Sequence, residues 1–185
     1  MSAATAGTST VTTWKIDPAH SVAEFKVKHM MIANVKGKFT GVAGTLSLDE
    51  ADPARSSVEA TIPLESVSTG DAQRDTHLKS ADFFDAGKHP AMTFKSSRIQ
   101  VKSPGQLAVI GSLTIHGVSQ PVTFAVEGPT PPAKDPWGNT RVGLEASTKI
   151  NRKDFGLGWN AALETGGVLV GEEVAIALDV EFVKA

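Results

Sequence analysis

The chain has 185 residues, 41% of them hydrophobic and 21% charged, with a formal net charge of -2. That length suits one domain with a real core, and the near-neutral balance gives no general attraction for nucleic acid, so no nucleic-acid partner is expected. No apolar run approaches the ~18 residues of a membrane-spanning helix, and the absence of cysteine excludes disulfides, thiolate zinc sites and thiol nucleophiles.

The opening "MSAATAGTSTVTT" lacks the basic and apolar regions of a secretory signal. It reads as a flexible tail over residues 1–12 ahead of a single domain over 13–185, and the cytoplasm is the expected compartment. From Trp14 onward, period-two alternation dominates. In "SVAEFKVKH", Ala23, Phe25 and Val27 share one face while Glu24, Lys26 and Lys28 share the other, the pattern of a strand buried on one side. The run "VKGKFTGVAGTLSLD" begins with Val35, Gly37 and Phe39 in one phase and ends with Leu46 and Leu48 in the other. A bulge or glycine-mediated bend near Gly41 to Gly44 in one curving strand accounts for this.

Val58, Ala60, Ile62 and Leu64 fall on one face of "SVEATIPLE". One helix is expected over Asp71 to Lys79, with Asp71 and Lys79 placed to suit the helix dipole and Asp75 and Lys79 at i,i+4 spacing. Its apolar stripe is only Ala72 and Leu78, so Arg74, Asp75 or His77 must tie it to the rest of the protein. In "MTFKSSRIQV" the apolar phase moves from Met92 and Phe94 to Ile99 and Val101, which places a bulge at Ser96–Ser97. "LAVIGSLTIHGVSQPVTFAVEG" reads as a hairpin turning near Gly117 to Gln120, with Pro121 opening the return strand. "GPTPPAKDPWG" is a long connection. The segment from Arg141 to Ile150 and the last strand, with Val174, Ile176, Leu178, Val180 and Phe182 in phase, complete about eight strands. The fold class is all-β: an antiparallel eight-stranded barrel, closed or nearly so because closure removes exposed edges, with one or two short helices.

Four motifs, "DPAHSVAEFKVKHMMIANVKGKF", "SVSTGDAQRDTHLKSADFFDAGKHPAMTF", "GSLTIHGVSQPVTF" and "INRKDFGLG", occur in this order. Together they resemble the YceI-like family from about Trp14 to Val183. The resemblance implies a lipocalin-like extended barrel that binds polyisoprenoid lipids in an elongated hydrophobic cavity. It also implies a part in lipid or quinone-precursor handling and in stress tolerance, and no established catalytic reaction. Some family members are periplasmic, whereas this sequence shows no such signal.

Alternation nominates the cavity lining: Phe25, Val27, Phe39, Phe94, Leu113, Ile115, Phe124 and Leu144, with Phe83 or Phe84 near a mouth where the helix hands over to the barrel wall. Small inward positions (Ala23, Ala60, Ala146) beside these aromatics fit either an open cavity or an interlocked, filled core. His20, His29, His77, His89 and His116 show no H-x-x-H or related spacing, so neither a metal nor another cofactor is expected. The competing enzyme reading makes His77 a general base oriented by Asp75 or Asp82, with Arg74 or Arg152 stabilising an oxyanion. No nucleophile elbow or phosphate loop accompanies these residues. Lys26, Lys28, Lys36 and Lys38 around "HMMIAN" form either a solvated strand face or a strip for anionic lipid headgroups. The expected partner is thus a polyisoprenoid or isoprenoid-quinone-like lipid, with transient membrane-surface contact and a homodimer left open.

Overall fold

The computed structural model describes residues 10–185. In chain order its elements are β1 (Val11–Ile16), β2 (Val22–His29), β3 (Ala33–Phe39), β4 (Ala43–Asp49), β5 (Ser57–Pro63), α1 (Ala72–Lys79), β6 (Ala91–Ser103), β7 (Gln106–Ile115), β8 (Val118–Glu127), β9 (Ala133–Lys134), β10 (Thr140–Asn151) and β11 (Val170–Lys184). Every pairing is antiparallel. Strands β1, β4, β5, β6, β7, β8, β10 and β11 close a ring of eight, because β11 pairs with β10 along one edge and with β1 on the other.

β11 carries this closure through its length. Eleven of its residues pair with β10, from Asn151↔Glu173 to Arg141↔Val183. On its other edge, Val170 to Asp179 pair with β2, and Phe182 to Lys184 pair with β1. The β2–β3 hairpin therefore stands end to end with the β1–β4 pair and lengthens the wall on one side. Val174, Ile176, Leu178, Val180 and Phe182 all point inward, as the alternation requires.

Two expectations need correction. The curving strand over residues 35–48 is two strands: β3 stops at Phe39, Gly41 takes a left-handed φ of 72°, and β4 starts at Ala43. The phase change seen in the sequence is a strand break rather than a bulge. The tail boundary also moves, since Val11 and Thr12 already pair with β4, while residues 1–9 of the expected tail lie outside the described residues. The Ser96–Ser97 irregularity is present as a register shift between Ser96 and Arg98. The hairpin turns at His116–Gly117, earlier than expected, and Pro121 falls inside β8. β8 pairs with β10 only from Ala125 to Glu127, so a residue without an N–H is tolerated at that open edge.

Helix α1 begins at its cap, where the Asp71 carboxylate accepts from Arg74 N at 3.0 Å. Asp75 does not bond Lys79. Its Oδ1 accepts from Thr69 N and Thr69 Oγ1 at 2.8 and 2.7 Å, while Lys79 reaches Glu65 at 3.1 Å. Arg74 donates to Thr69 Oγ1 and Thr69 O. These ties fasten the helix to the segment before it, and Leu78 and Phe84 pack it on the core.

Candidate functional site: an apolar cavity

The barrel encloses a cavity of about 200 Å³ lined by inward residues of β1, β2 and β3 to β8, together with β10 and β11. Its wall is almost wholly hydrocarbon. Phe25, Val58, Ala60, Ile62, Phe84, Phe94, Leu144, Ala146, Ile176 and Leu178 face the interior yet are only partly buried. A filled core would have covered them completely. The small residues expected to leave room, Ala23, Ala60 and Ala146, all belong to this lining.

The aromatic residues are seated by the backbone opposite them. Phe25 pairs with Gly37 across β2 and β3, and a Cβ added at Gly37 would lie 2.2 Å from the Phe25 ring. Only glycine lets that ring lie flat on its neighbour strand. From there Phe25, Phe39 and Phe84 form a chain of rings with centroids 5.6 and 5.8 Å apart. Phe94 meets Phe124 edge-on at 5.1 Å on the other wall.

Of the ten residues nominated from sequence, Phe25, Phe39, Phe84, Phe94, Leu113, Ile115, Phe124 and Leu144 line this cavity. Val27 and Phe83 do not. Val27 has the inward phase, opposite Val35 and the lining residue Val174, but is not itself part of the lining. Phe83 points the other way from Phe84 and packs against His77 and Trp159 at 5.1 and 5.3 Å between ring centroids. The adjacent phenylalanines thus divide between the cavity and the outside of the helix.

Among the lining residues that alternation did not nominate is a buried cation, Arg152. It closes one end of the cavity and is 4% exposed. Its guanidinium donates to four backbone carbonyls: Gly171 at 2.7 Å, Leu157 at 2.5 Å, Trp159 at 3.0 Å and Val170 at 3.2 Å. No carboxylate lies within ion-pair distance among the described residues. Burial lowers its pKa, and the charge of Glu172 opposes that shift. Arg152 therefore latches the segment after residue 156 across the barrel end and leaves its positive charge without an ion-pair partner there.

The pairing of His77 with Asp82 that the enzyme reading calls for is present, but outside the cavity lining. His77 Nε2 meets Asp82 Oδ2 at 2.9 Å, and its ring abuts Trp159 at 4.7 Å. None of the three lines the cavity, and Arg74 and Asp75 are engaged with Thr69. A different charged cluster lies on another part of the barrel. Arg141 donates to Asp17 and Asp135 at 2.7 Å each and to Glu181 at 2.5 Å. The Arg141 bond, followed by that from His20, holds the Asp17 carboxyl at about 2 instead of 3.8. Burial pushes Asp135 up, but Arg141, Asn139 and the Trp137 backbone together hold it well below the ordinary range.

Fold and cavity define the class: a closed antiparallel barrel with a hydrocarbon-lined interior and a buried cation at one end. The YceI-like domain model matches residues 14–182, and the chain belongs to the YceI-like family. A UPF0312 protein of Yersinia enterocolitica is 37% identical over 183 residues, covering 98% of this chain and 91% of that one. Among solved structures, BcnA of Burkholderia cenocepacia superposes with a TM-score of 0.76 at 27% identity, over 90% of this chain and 98% of its own. A polyisoprenoid binding domain from Saccharophagus degradans shares the fold at a TM-score of 0.66 and 14% identity, over 95% of this chain and all of its own.

Proposed function

We propose that the barrel binds a polyisoprenoid or a similar long apolar lipid in its interior, serving its transport or storage without catalysing a reaction on it. The observation that carries this reading is the partly open, hydrocarbon-lined cavity of about 200 Å³. It is smaller than the roughly 300–1,000 Å³ of drug-sized pockets, which favours a slender chain over a bulky fused ring. The Saccharophagus domain, described as polyisoprenoid binding, supports the choice of ligand class. Arg152 gives the lipid a direction. A headgroup carbonyl or anion at its end of the cavity meets an unpaired buried charge, and hydrogen bonds to a desolvated guanidinium are among the stronger ones.

Loading is read at the β2–β3 hairpin. Its outer face carries Lys26, Lys28, Lys36 and Lys38, all exposed, and its tip carries Met30, Met31 and Ile32 at 40%, 60% and 78% exposure. Lysines beside an exposed apolar tip suit transient contact with an anionic membrane surface. The cavity is complete within one chain, so the proposal needs no second copy. Organic extraction and mass spectrometry of protein purified without delipidation should release an isoprenoid lipid. Adding a long-chain polyprenol to delipidated protein should raise its melting temperature. Protein that carries no lipid and shows no shift with polyprenol overturns the proposal.

A further inference from the structure

At one rim of the barrel, three side chains able to ligate a metal come together from two distant segments. Asp85 and His89 lie in one tight turn, in which His89 N donates to Asp85 O at 2.9 Å and sets the two residues one above the other. His116 arrives from the β7–β8 turn, and the imidazoles of His89 and His116 stand edge to face with centroids 5.0 Å apart. One ligand atom from each of Asp85, His89 and His116 lies within 4.8 Å of the others. A tetrahedral ion with bonds of about 2 Å separates its ligands by roughly 3.3 Å, so small side-chain rotations close the set.

The surroundings point to a ligand in three ways. Neither imidazole is engaged in a hydrogen bond among the described residues, whereas His20 and His77 are each bonded to a carboxylate. Among the described residues the one ion pair of Asp85 is with exposed Lys88, at 3.7 Å. Asp85 and His116 hold left-handed backbones, with φ of 50° and 55°, a conformation uncommon outside glycine. A second group, one histidine with two carboxylates, Asp17, His20 and Glu181, supplies the contrast: Arg141 already occupies its carboxylates.

We propose that Asp85, His89 and His116 form a binding site for one divalent first-row transition ion of the zinc class. Two imidazoles and a carboxylate are the ligand set that selects zinc, copper, nickel or cobalt over calcium or magnesium. Three protein ligands leave a fourth position for water or another oxygen. Phe84 and Ile115, the residues immediately before two of the ligands, line the cavity, so the ion sits at the cavity's rim. This site stands on geometry separate from the lipid reading.

The test is titration of metal-free full-length protein with Co2+, followed by displacement with Zn2+. One ion per chain should bind, with the visible d–d absorption of a tetrahedral nitrogen and oxygen site, and Zn2+ should abolish that absorption and raise the melting temperature. His116→Asn keeps a residue that tolerates the left-handed turn and should weaken Zn2+ by at least about 100-fold, beyond the roughly 10–100-fold that loss of a supporting group costs. His89→Gln should do the same, while His20→Ala should change nothing. Absence of a one-to-one Co2+ spectrum in the parent protein overturns the proposal without reference to any variant. So does binding that survives His116→Asn and His89→Gln but is lost in His20→Ala.

Discussion

Replacing Ala146 with phenylalanine separates an open barrel from a filled one by the sign of a stability change. Ala146 lies on the inner face of β10, in register with Val126 on one side and Leu178 on the other, and borders the cavity. In a packed interior the added ring would cost about 1–3 kcal/mol through strain. Here it enters about 200 Å³ of existing space, and burying a phenylalanine side chain contributes about 1.5–3 kcal/mol. The lipid-free variant is therefore expected to match the parent or to exceed it by up to about 2 kcal/mol. The same ring would fill the place proposed for the lipid. A ligand at 100 times its dissociation constant stabilises by about 2.7 kcal/mol. For a domain of this size that is a melting-temperature rise of roughly 5–11 °C, at about 2–4 °C per kcal/mol. Scanning fluorimetry of both delipidated proteins, with and without saturating long-chain polyprenol, should show this rise in the parent and not in Ala146→Phe. A variant weakened by about 1–3 kcal/mol without lipid, yet showing the full rise with it, would place the lipid elsewhere and refute the reasoning.

Arg152→Met removes the donors from four carbonyls, and urea denaturation should show a loss of about 1–3 kcal/mol for each carbonyl that water cannot reach. Arg152→Lys should recover only part of it, because an ammonium cannot span the guanidinium's fork. His77→Ala should cost no more than about 1 kcal/mol, since its bond to Asp82 is a half-exposed pair; a larger loss in the same measurement would mean that the Trp159 contact anchors the helix. Asp17 is held below its unfolded value, so its contribution is complete above 3.8 and is lost as pH falls through about 2. Urea midpoints between pH 6 and pH 2 should therefore fall less steeply in Arg141→Gln than in the parent.

Alternation made the long strands legible because each has one wet and one dry side. The inward sets of β5, β10 and β11, and the bulge after Ser96, follow from the residue pattern alone. Periodicity reports which face a residue occupies but not how far along the barrel axis it lies. That is why Val27, correct in phase, is missing from the lining, and why one apparent strand over residues 35–48 proved to be two. Which of the adjacent Phe83 and Phe84 turns inward depends on how α1 docks, which the residue pattern does not show. Arg152 stands out in sequence only as a candidate oxyanion stabiliser, not as a residue of the barrel end. Its role appears only when the carbonyls of residues 157–171 fold over it. His89 and His116 are 27 positions apart, and no local spacing signals their meeting.

The placement of β11 also bears on how the chain acquires its shape during synthesis. β1, β2 and β10 all take their partner from this one strand, and β1 must wait for a segment more than 150 residues later in the chain. As the polypeptide emerges N-terminus first, those three strands present unpaired edges and the apolar inner faces remain uncovered. Contacts so distant in sequence form slowly, since loop-closure entropy is lost before they are gained. Until β11 is made the topology cannot close, so the pairings that remain form at most an open trough whose edges favour aggregation. If the interior takes a lipid as proposed, that interval lets the lipid be laid in from the side rather than threaded through a mouth.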